Sequence, residues 1–101
     1  MDIKRLILRI KNGDEQALEV LIKEMYPQVY TFLYRKMNQS DKAKDITQEV
    51  FIKFVENIDN YHEEDKLRNY LFKIGIHLAN NYYKSLKYID DQELDESKLN
   101  V

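Results

Sequence analysis

Hydrophobic positions at three- and four-residue spacing run through most of the chain and divide it into four helical stretches. Ile3, Leu6, Ile7 and Ile10 predict a short amphipathic helix from Asp2 to about Asn12. Asn12-Gly13 ends it, because glycine accepts the left-handed backbone of a helix C-terminus at little cost. Asp14 is placed to cap the second helix, and Glu15 adds favourable charge near its start. Ala17, Leu18, Leu21, Ile22 and Met25 form its buried stripe. Pro27 has no amide hydrogen and crowds the carbonyl four residues back, so a kink or a restart is expected there. Val29, Tyr30, Phe32, Leu33 and Met37 carry the pattern on to about Asn38.

Gln39-Ser40-Asp41 reads as a turn, with Ser40 or Asp41 as the next N-cap. The third helix then runs from about Lys42 to Asn57. At about 100° per residue, Ala43, Thr47, Val50, Phe51, Phe54 and Ile58 gather on one side, the expected core stripe. Asp45, Gln48, Glu49, Ile52 and Glu56 gather on the other, an acidic and amide surface with a bare isoleucine in its middle. A solvated face with one stray apolar side chain accounts for this. A partner-binding face is the sharper reading.

Asp59-Asn60-Tyr61-His62-Glu63-Glu64 has turn residues and no apolar period, and predicts an exposed loop. The last helix is expected from about Asp65 to Tyr88, with Leu67, Leu71, Ile74 and Leu78 on its core side and Tyr82 at the edge. Tyr70, Lys73, His77, Asn80, Asn81 and Lys84 track a neighbouring polar side. Gly75 inside this helix costs roughly 1 kcal/mol against alanine, which close packing against another helix would justify. The final dozen residues are acidic and nearly free of apolar side chains, and predict a frayed tail or linker. The fold class is therefore all-α: a compact bundle of three main helices plus a short N-terminal helix, with one domain over residues 1–88 and an acidic linker over 89–101.

Composition narrows the function. A chain of 101 residues suits one domain, and two glycines with one proline agree with a nearly all-helical fold. The absence of cysteine excludes disulfides and thiolate metal sites and fits a reducing cytoplasm. No signal peptide and no membrane-spanning run is visible. The formal net charge of −2 hides an uneven distribution. From Lys66 to Tyr88, Lys66, Arg68, Lys73, Lys84 and Lys87 meet no acidic residue, whereas Asp90, Asp91, Glu93, Asp95 and Glu96 oppose only Lys98. A polyanion would meet the basic segment and its interleaved tyrosines.

Chemistry of other kinds has little support. His62 and His77 belong to no two-histidine motif of zinc-ligand spacing, and the acidic run Glu63-Glu64-Asp65 reads as a solvated loop leading into a helix rather than a cation site. No phosphate loop, no glycine-rich fingerprint and no nucleophile with a base beside it is present, so neither enzymatic activity nor a cofactor is expected. Tyr61, Tyr70, Tyr82, Tyr83 and Tyr88 offer faces for unpaired bases, the lysines and Arg68 offer charge to phosphates, and Asn69, Asn80 and Asn81 offer amides to base edges. Core packing is the competing reading for Tyr82 and Tyr83.

The order of these surfaces resembles region 2 of the bacterial sigma factors, most closely the extracytoplasmic-function (ECF) group. The likeness covers roughly Lys11 to Lys84 and includes NGDEQALEVLIKEMYPQVY, DITQEVFIKF and LRNYLFKIGIHLANNYYK. Its specific element is Asp45-x-x-Gln48-Glu49-x-Phe51 followed by Leu67-Arg68-x-Tyr70-Leu71. The resemblance implies that Asp45, Gln48, Glu49, Ile52 and Glu56 dock on the clamp helices of the β′ subunit of core RNA polymerase. It implies equally that Tyr61, His62, Arg68, Asn69, Tyr70, Lys73, His77, Asn80 and Lys84 meet the non-template strand of the promoter −10 element, recognising and melting it. An anti-sigma factor is a further partner by the same analogy, and a linker to a second domain, region 4, would begin near residue 89. The family commonly has tryptophan at Tyr70, asparagine at His77 and an acidic residue at Asn81, so the identity of the recognised base does not carry over. The alternative class is a protein-only helical module whose acidic face binds a regulator and whose basic helix is merely solvated.

Overall fold

The computed structural model describes residues 2–62 and 66–99, with side chains as far as Tyr88. The elements are α1 (Ile3–Lys11), α2 (Glu15–Met37), α3 (Ser40–Glu56), a 3-10 turn (Ile58–Asn60) and α4 (Leu67–Leu99). Among the described residues there is no strand, and the expected bundle of three long helices and one short one is present.

Each helix start has a local cause. The Asp2 side chain accepts from the Arg5 N–H at 3.1 Å and caps α1. Gly13 then takes φ +87° and turns the chain. Asp14 caps α2, accepting from the N–H groups of Gln16 (3.0 Å) and Ala17 (3.2 Å) while pairing with Arg9 at 2.8 Å. The Arg9 guanidinium, followed by the Ala17 amide, holds the Asp14 carboxyl below the ordinary carboxylate value.

Helix α2 is the axis of the bundle. Ala17, Leu21, Met25, Val29, Leu33 and Met37, four residues apart, are all buried, and α1, α3 and α4 each pack against this helix. The expected restart at Pro27 does not occur: α2 is one unbroken helix. Pro27 and Lys23 both lie on its exposed side, so the carbonyl that loses its partner stays within reach of water. Asn38 closes α2 in the left-handed region at φ 54°, and α3 starts at Ser40 rather than from a Ser40 or Asp41 cap. Gln39 is the flanking residue and makes no side-chain capping bond.

In α3 the expected stripe is buried, joined by Ile46, and the Thr47 hydroxyl donates to the Ala43 carbonyl at 2.6 Å, so its polar atom is satisfied inside the core. The segment after α3 is less open than its composition suggests. Ile58 and Tyr61 are buried, and the turn between them tucks under the bundle. Glu63, Glu64 and Asp65, the acidic run and the predicted start of the last helix, lie outside the described residues. At the other end the backbone of α4 stays helical to Leu99, past the boundary expected near Tyr88. Residues 89–99 contain no glycine or proline and include glutamate, leucine and lysine, all good helix formers.

Gly75 is buried where α4 crosses α2, and a Cβ built there would stand 3.1 Å from Leu33 Cδ2 and 3.4 Å from Cδ1. That distance is tighter than ordinary van der Waals contact, and Leu33 is fully buried. Gly75→Val should therefore lower unfolding free energy in urea by about 1–3 kcal/mol through overpacking. Gly75→Ala should fall well short of that, because its gain in helix propensity, about 1 kcal/mol, offsets a small shift of Leu33.

Candidate functional sites

Two accessible surfaces carry the functional residues expected from the sequence. On α3, Asp45, Gln48, Glu49, Ile52 and Glu56 all face solvent, and Ile52 is 56% exposed. Glu56 pairs with Lys53 at 3.7 Å, an exposed contact of small energetic weight. Beside this face, a cavity of about 460 Å³ opens between α2 and α3, lined mainly by Ile22, Tyr26, Gln48, Phe51, Ile52 and Val55. Ile52 is thus the rim of an apolar groove rather than a stray side chain. Tyr26 stacks on Phe51 at 6.1 Å and on Tyr30 at 6.5 Å, which stiffens the groove wall. The share of Ile22 and Tyr26 in this surface is not legible from α3 alone, since it depends on how α2 lies alongside.

The second surface lies where the chain enters α4. A cavity of about 630 Å³ is lined by Asn60, Tyr61, His62, Lys66, Asn69, Tyr70 and Lys73. Five of these are residues that the resemblance implies, Lys66 is one of the cations expected to meet phosphate, and Asn60 joins them. The helical period places Asn69, Tyr70 and Lys73 on one face of α4 with Lys66 just before its start, and the 3-10 turn and the two residues after it bring Asn60, Tyr61 and His62 against them. Two amides, two ammonium groups, an imidazole and aromatic surface converge there, a set suited to a flat, hydrogen-bonding, anionic ligand.

Tyr61 requires a correction. Its sequence neighbours predict an exposed loop residue with an accessible face, but it is only 7% exposed. Its ring packs 4.7 Å from Tyr70 and edge-on to Phe54 at 5.7 Å, so it forms the cavity wall and supports Tyr70. Its carbonyl accepts from Lys11 Nζ at 2.6 Å, which ties the turn to α1. Arg68 is set apart from the others: it lies over Phe72, 6.0 Å from the ring centroid, and lines a different cavity between α2 and α4. His77, Asn80 and Lys84 are further along α4 and do not line the cavity; His77 and Asn81 are 3.3 Å apart. Tyr82 is half-buried with Lys42 over its ring at 5.2 Å, and Tyr83 is 39% exposed. Among the described residues no cluster of three metal-ligating side chains occurs, and no helix is long and apolar enough to cross a membrane.

Known proteins are similar to this chain over most of its length. A family model described as Sigma-70 region 2 matches residues 21–88. The chain is 32% identical over 79 residues to the ECF RNA polymerase sigma factor SigW of Bacillus subtilis (strain 168), covering 78% of this chain and 42% of that protein. It is 30% identical over 77 residues to the ECF RNA polymerase sigma-E factor of Haemophilus influenzae, covering 76% of this chain and 40% of the relative. The sigma-E factor of Escherichia coli (strain K12) is 27% identical over 77 residues with the same coverage. The chain therefore spans about two fifths of the length of these relatives. No solved structure matches with significance.

The Lys11 bond carries a prediction of its own. Lys11→Met keeps the apolar stem and removes the donor to the Tyr61 carbonyl, so stability should fall by about 1 kcal/mol. Amide hydrogen exchange at Asn60 and Tyr61 should speed up more than exchange within α2, which native-state exchange measured by NMR would resolve.

Proposed function

Because this chain belongs to the sigma-70 region 2 family, in its extracytoplasmic-function group, we propose that it is the portion of a transcription initiation factor that binds core RNA polymerase through α3 and captures the opened −10 strand at the start of α4. In this reading residues 1–88 form the working domain and 89–101 lead toward a second promoter-reading domain. The mechanism is binding without chemistry, in the cytoplasm where RNA polymerase acts.

Docking uses Asp45, Gln48, Glu49, Ile52 and Glu56 against the β′ clamp helices. The carboxylates orient the encounter and raise its rate, while Ile52 and the apolar groove behind it supply the contact that loses water. An anti-sigma factor that covered this groove would block the same step.

Capture uses the cavity beside Tyr70. A base of the non-template strand leaves the duplex, lies against the Tyr70 ring and meets the amides of Asn60 and Asn69, while Lys66 and Lys73 hold its phosphates. Extruding a base costs a few kcal/mol. Stacking on an aromatic ring returns about 1–3 kcal/mol, so stacking alone nearly balances the cost and the phosphate contacts decide the outcome. Strand capture is therefore expected to weaken steeply with salt. His77, Asn80 and Lys84 continue the same side of α4 toward the adjoining promoter DNA. The observation that carries this reading is the cavity itself, in which cations, amides and tyrosine converge from two separate segments of the chain.

Variants separate the two roles. Glu49→Lys and Ile52→Asp should each lower affinity for core polymerase at least tenfold, with the far-UV circular dichroism and single-stranded DNA binding unchanged; undiminished polymerase affinity would remove the α3 assignment. Lys73→Gln and Tyr70→Leu should each weaken binding to the best member of a panel of single-stranded oligonucleotides by roughly tenfold, with polymerase affinity retained. A protein-only module would show no preference among the oligonucleotides and no response to either substitution.

A further inference from the structure

One wall of the cavity beside Tyr70 is a short turn with few backbone bonds of its own. Residues Ile58–Asn60 make a single turn of 3-10 helix, closed by the Asn60 N–H on the Asn57 carbonyl at 3.0 Å and the Tyr61 N–H on the Ile58 carbonyl at 3.1 Å. Hydrogen-bond geometry in such a turn is poorer than in an α-helix, so contacts from elsewhere must fix where Asn60, Tyr61 and His62 stand. Tyr61 receives them on each of its groups. Its ring is set by Phe54 and Tyr70, its amide by Ile58, and its carbonyl by Lys11 Nζ, 2.6 Å away and 50 residues earlier in the chain. The first three partners belong to α3, α4 and the turn itself. Lys11 is the end of α1, a helix that contributes no side chain to the cavity. Its bond has a charged donor, is short, and is partly buried, so water screens it less than an exposed contact. Because a peptide is planar, directing the Tyr61 carbonyl at α1 also sets the direction in which His62 leaves the turn.

We infer that Lys11 is a positioning residue for strand capture. It touches no part of the strand; through the Tyr61 carbonyl it keeps Tyr61 behind Tyr70 and holds Asn60 and His62 on the cavity wall. The inference rests on the capture reading above and extends it to α1. A wall already in place spares the strand the cost of ordering the turn as it binds, and that saving appears as affinity. The same tie works in reverse: if Lys11 favours the strand-binding arrangement by some factor, a bound strand favours the Lys11 bond by that factor. Nothing in the sequence signals this role, since Lys11 reads there as one more cation in the last turn of a short amphipathic helix.

The test compares the original chain with Lys11→Met, which keeps the apolar stem, and Lys11→Arg, which keeps a charged donor. Each is titrated, by fluorescence anisotropy, with a labelled single-stranded oligonucleotide chosen for Lys73-dependent binding, at several salt concentrations. Lys11→Met should bind about fivefold more weakly, the size of one net hydrogen bond, with its log–log salt slope and its affinity for core polymerase unchanged; Lys11→Arg should recover the original affinity. A second measurement needs no variant. In the original chain, saturating oligonucleotide should slow proton exchange of the Lys11 ammonium, followed by NMR, by about the same factor. Undiminished strand affinity in Lys11→Met overturns the inference by making the bond a tie for the fold alone, as does a parallel loss of polymerase affinity. A salt slope shallower by about 0.7 overturns it by making Lys11 a direct phosphate contact. No recovery in Lys11→Arg, or ammonium exchange indifferent to the oligonucleotide, overturns it too, and all four results leave the Tyr70 cavity standing. Absence of any Lys73-dependent binding in the original chain overturns the capture reading and this inference together.

Discussion

The close approach of Gly75 to Leu33 governs how α4, and the surfaces that α4 carries, sit on the bundle. It lets α4 lie directly on α2, the helix whose buried row from Ala17 to Met37 receives the other three. The three cavities described above occur at seams of this assembly: α2 with α3, α2 with α4, and the 3-10 turn with α4. A side chain larger than a methyl group at residue 75 would press α4 away from α2, and Phe32 and Phe72 stack only one helical turn from the crossing. The Phe54, Tyr61 and Tyr70 cluster holds the turn in the same way, with Lys11 fixing its backbone from α1. The surfaces are therefore consequences of core packing rather than additions to it.

Charge is divided along the same lines. Carboxylates and amides occupy the outer face of α3, whereas cations gather at the end of α2 and the start of α4, and the small net charge is the sum of these opposed patches. The described molecule measures 62 × 25 × 22 Å. Even its shorter dimensions exceed the screening length of about 8 Å at physiological ionic strength. A protein partner on the acidic face and a polyanion on the basic one would therefore disturb each other little through direct electrostatics.

Much of this is legible in the residues. Periodicity locates all four helices, Asp14 and Gly13 mark a boundary, and the outer face of α3 follows from helical spacing alone. Gly75 signals close packing without naming Leu33 as the neighbour. The departures have common causes. Pro27 does not break α2 because its exposure, which lets water replace the lost bond, is a tertiary property. Tyr61 looks exposed beside polar Asn60 and His62, although long-range packing against Phe54 decides its place. Helix α4 outruns its expected limit because the acidic residues that suggest disorder also include good helix formers. Arg68 adjoins Asn69 and Tyr70 in the chain, yet one step along a helix turns a side chain by about 100° and places it on another seam. Cavities formed by two segments lie beyond any reading of one segment at a time.

In the function proposed for this chain, one small helical body would hold a coiled coil on one side and an unpaired DNA strand on another, independently. The direct measurement is the affinity of this chain for its preferred single-stranded oligonucleotide, taken first alone and then with core RNA polymerase at saturating concentration. A ternary complex, in which the strand is bound at least as tightly as by the chain alone, is the result expected from two separate surfaces. Displacement of the oligonucleotide by the polymerase would mean that a single surface serves both partners, and would contradict that independence.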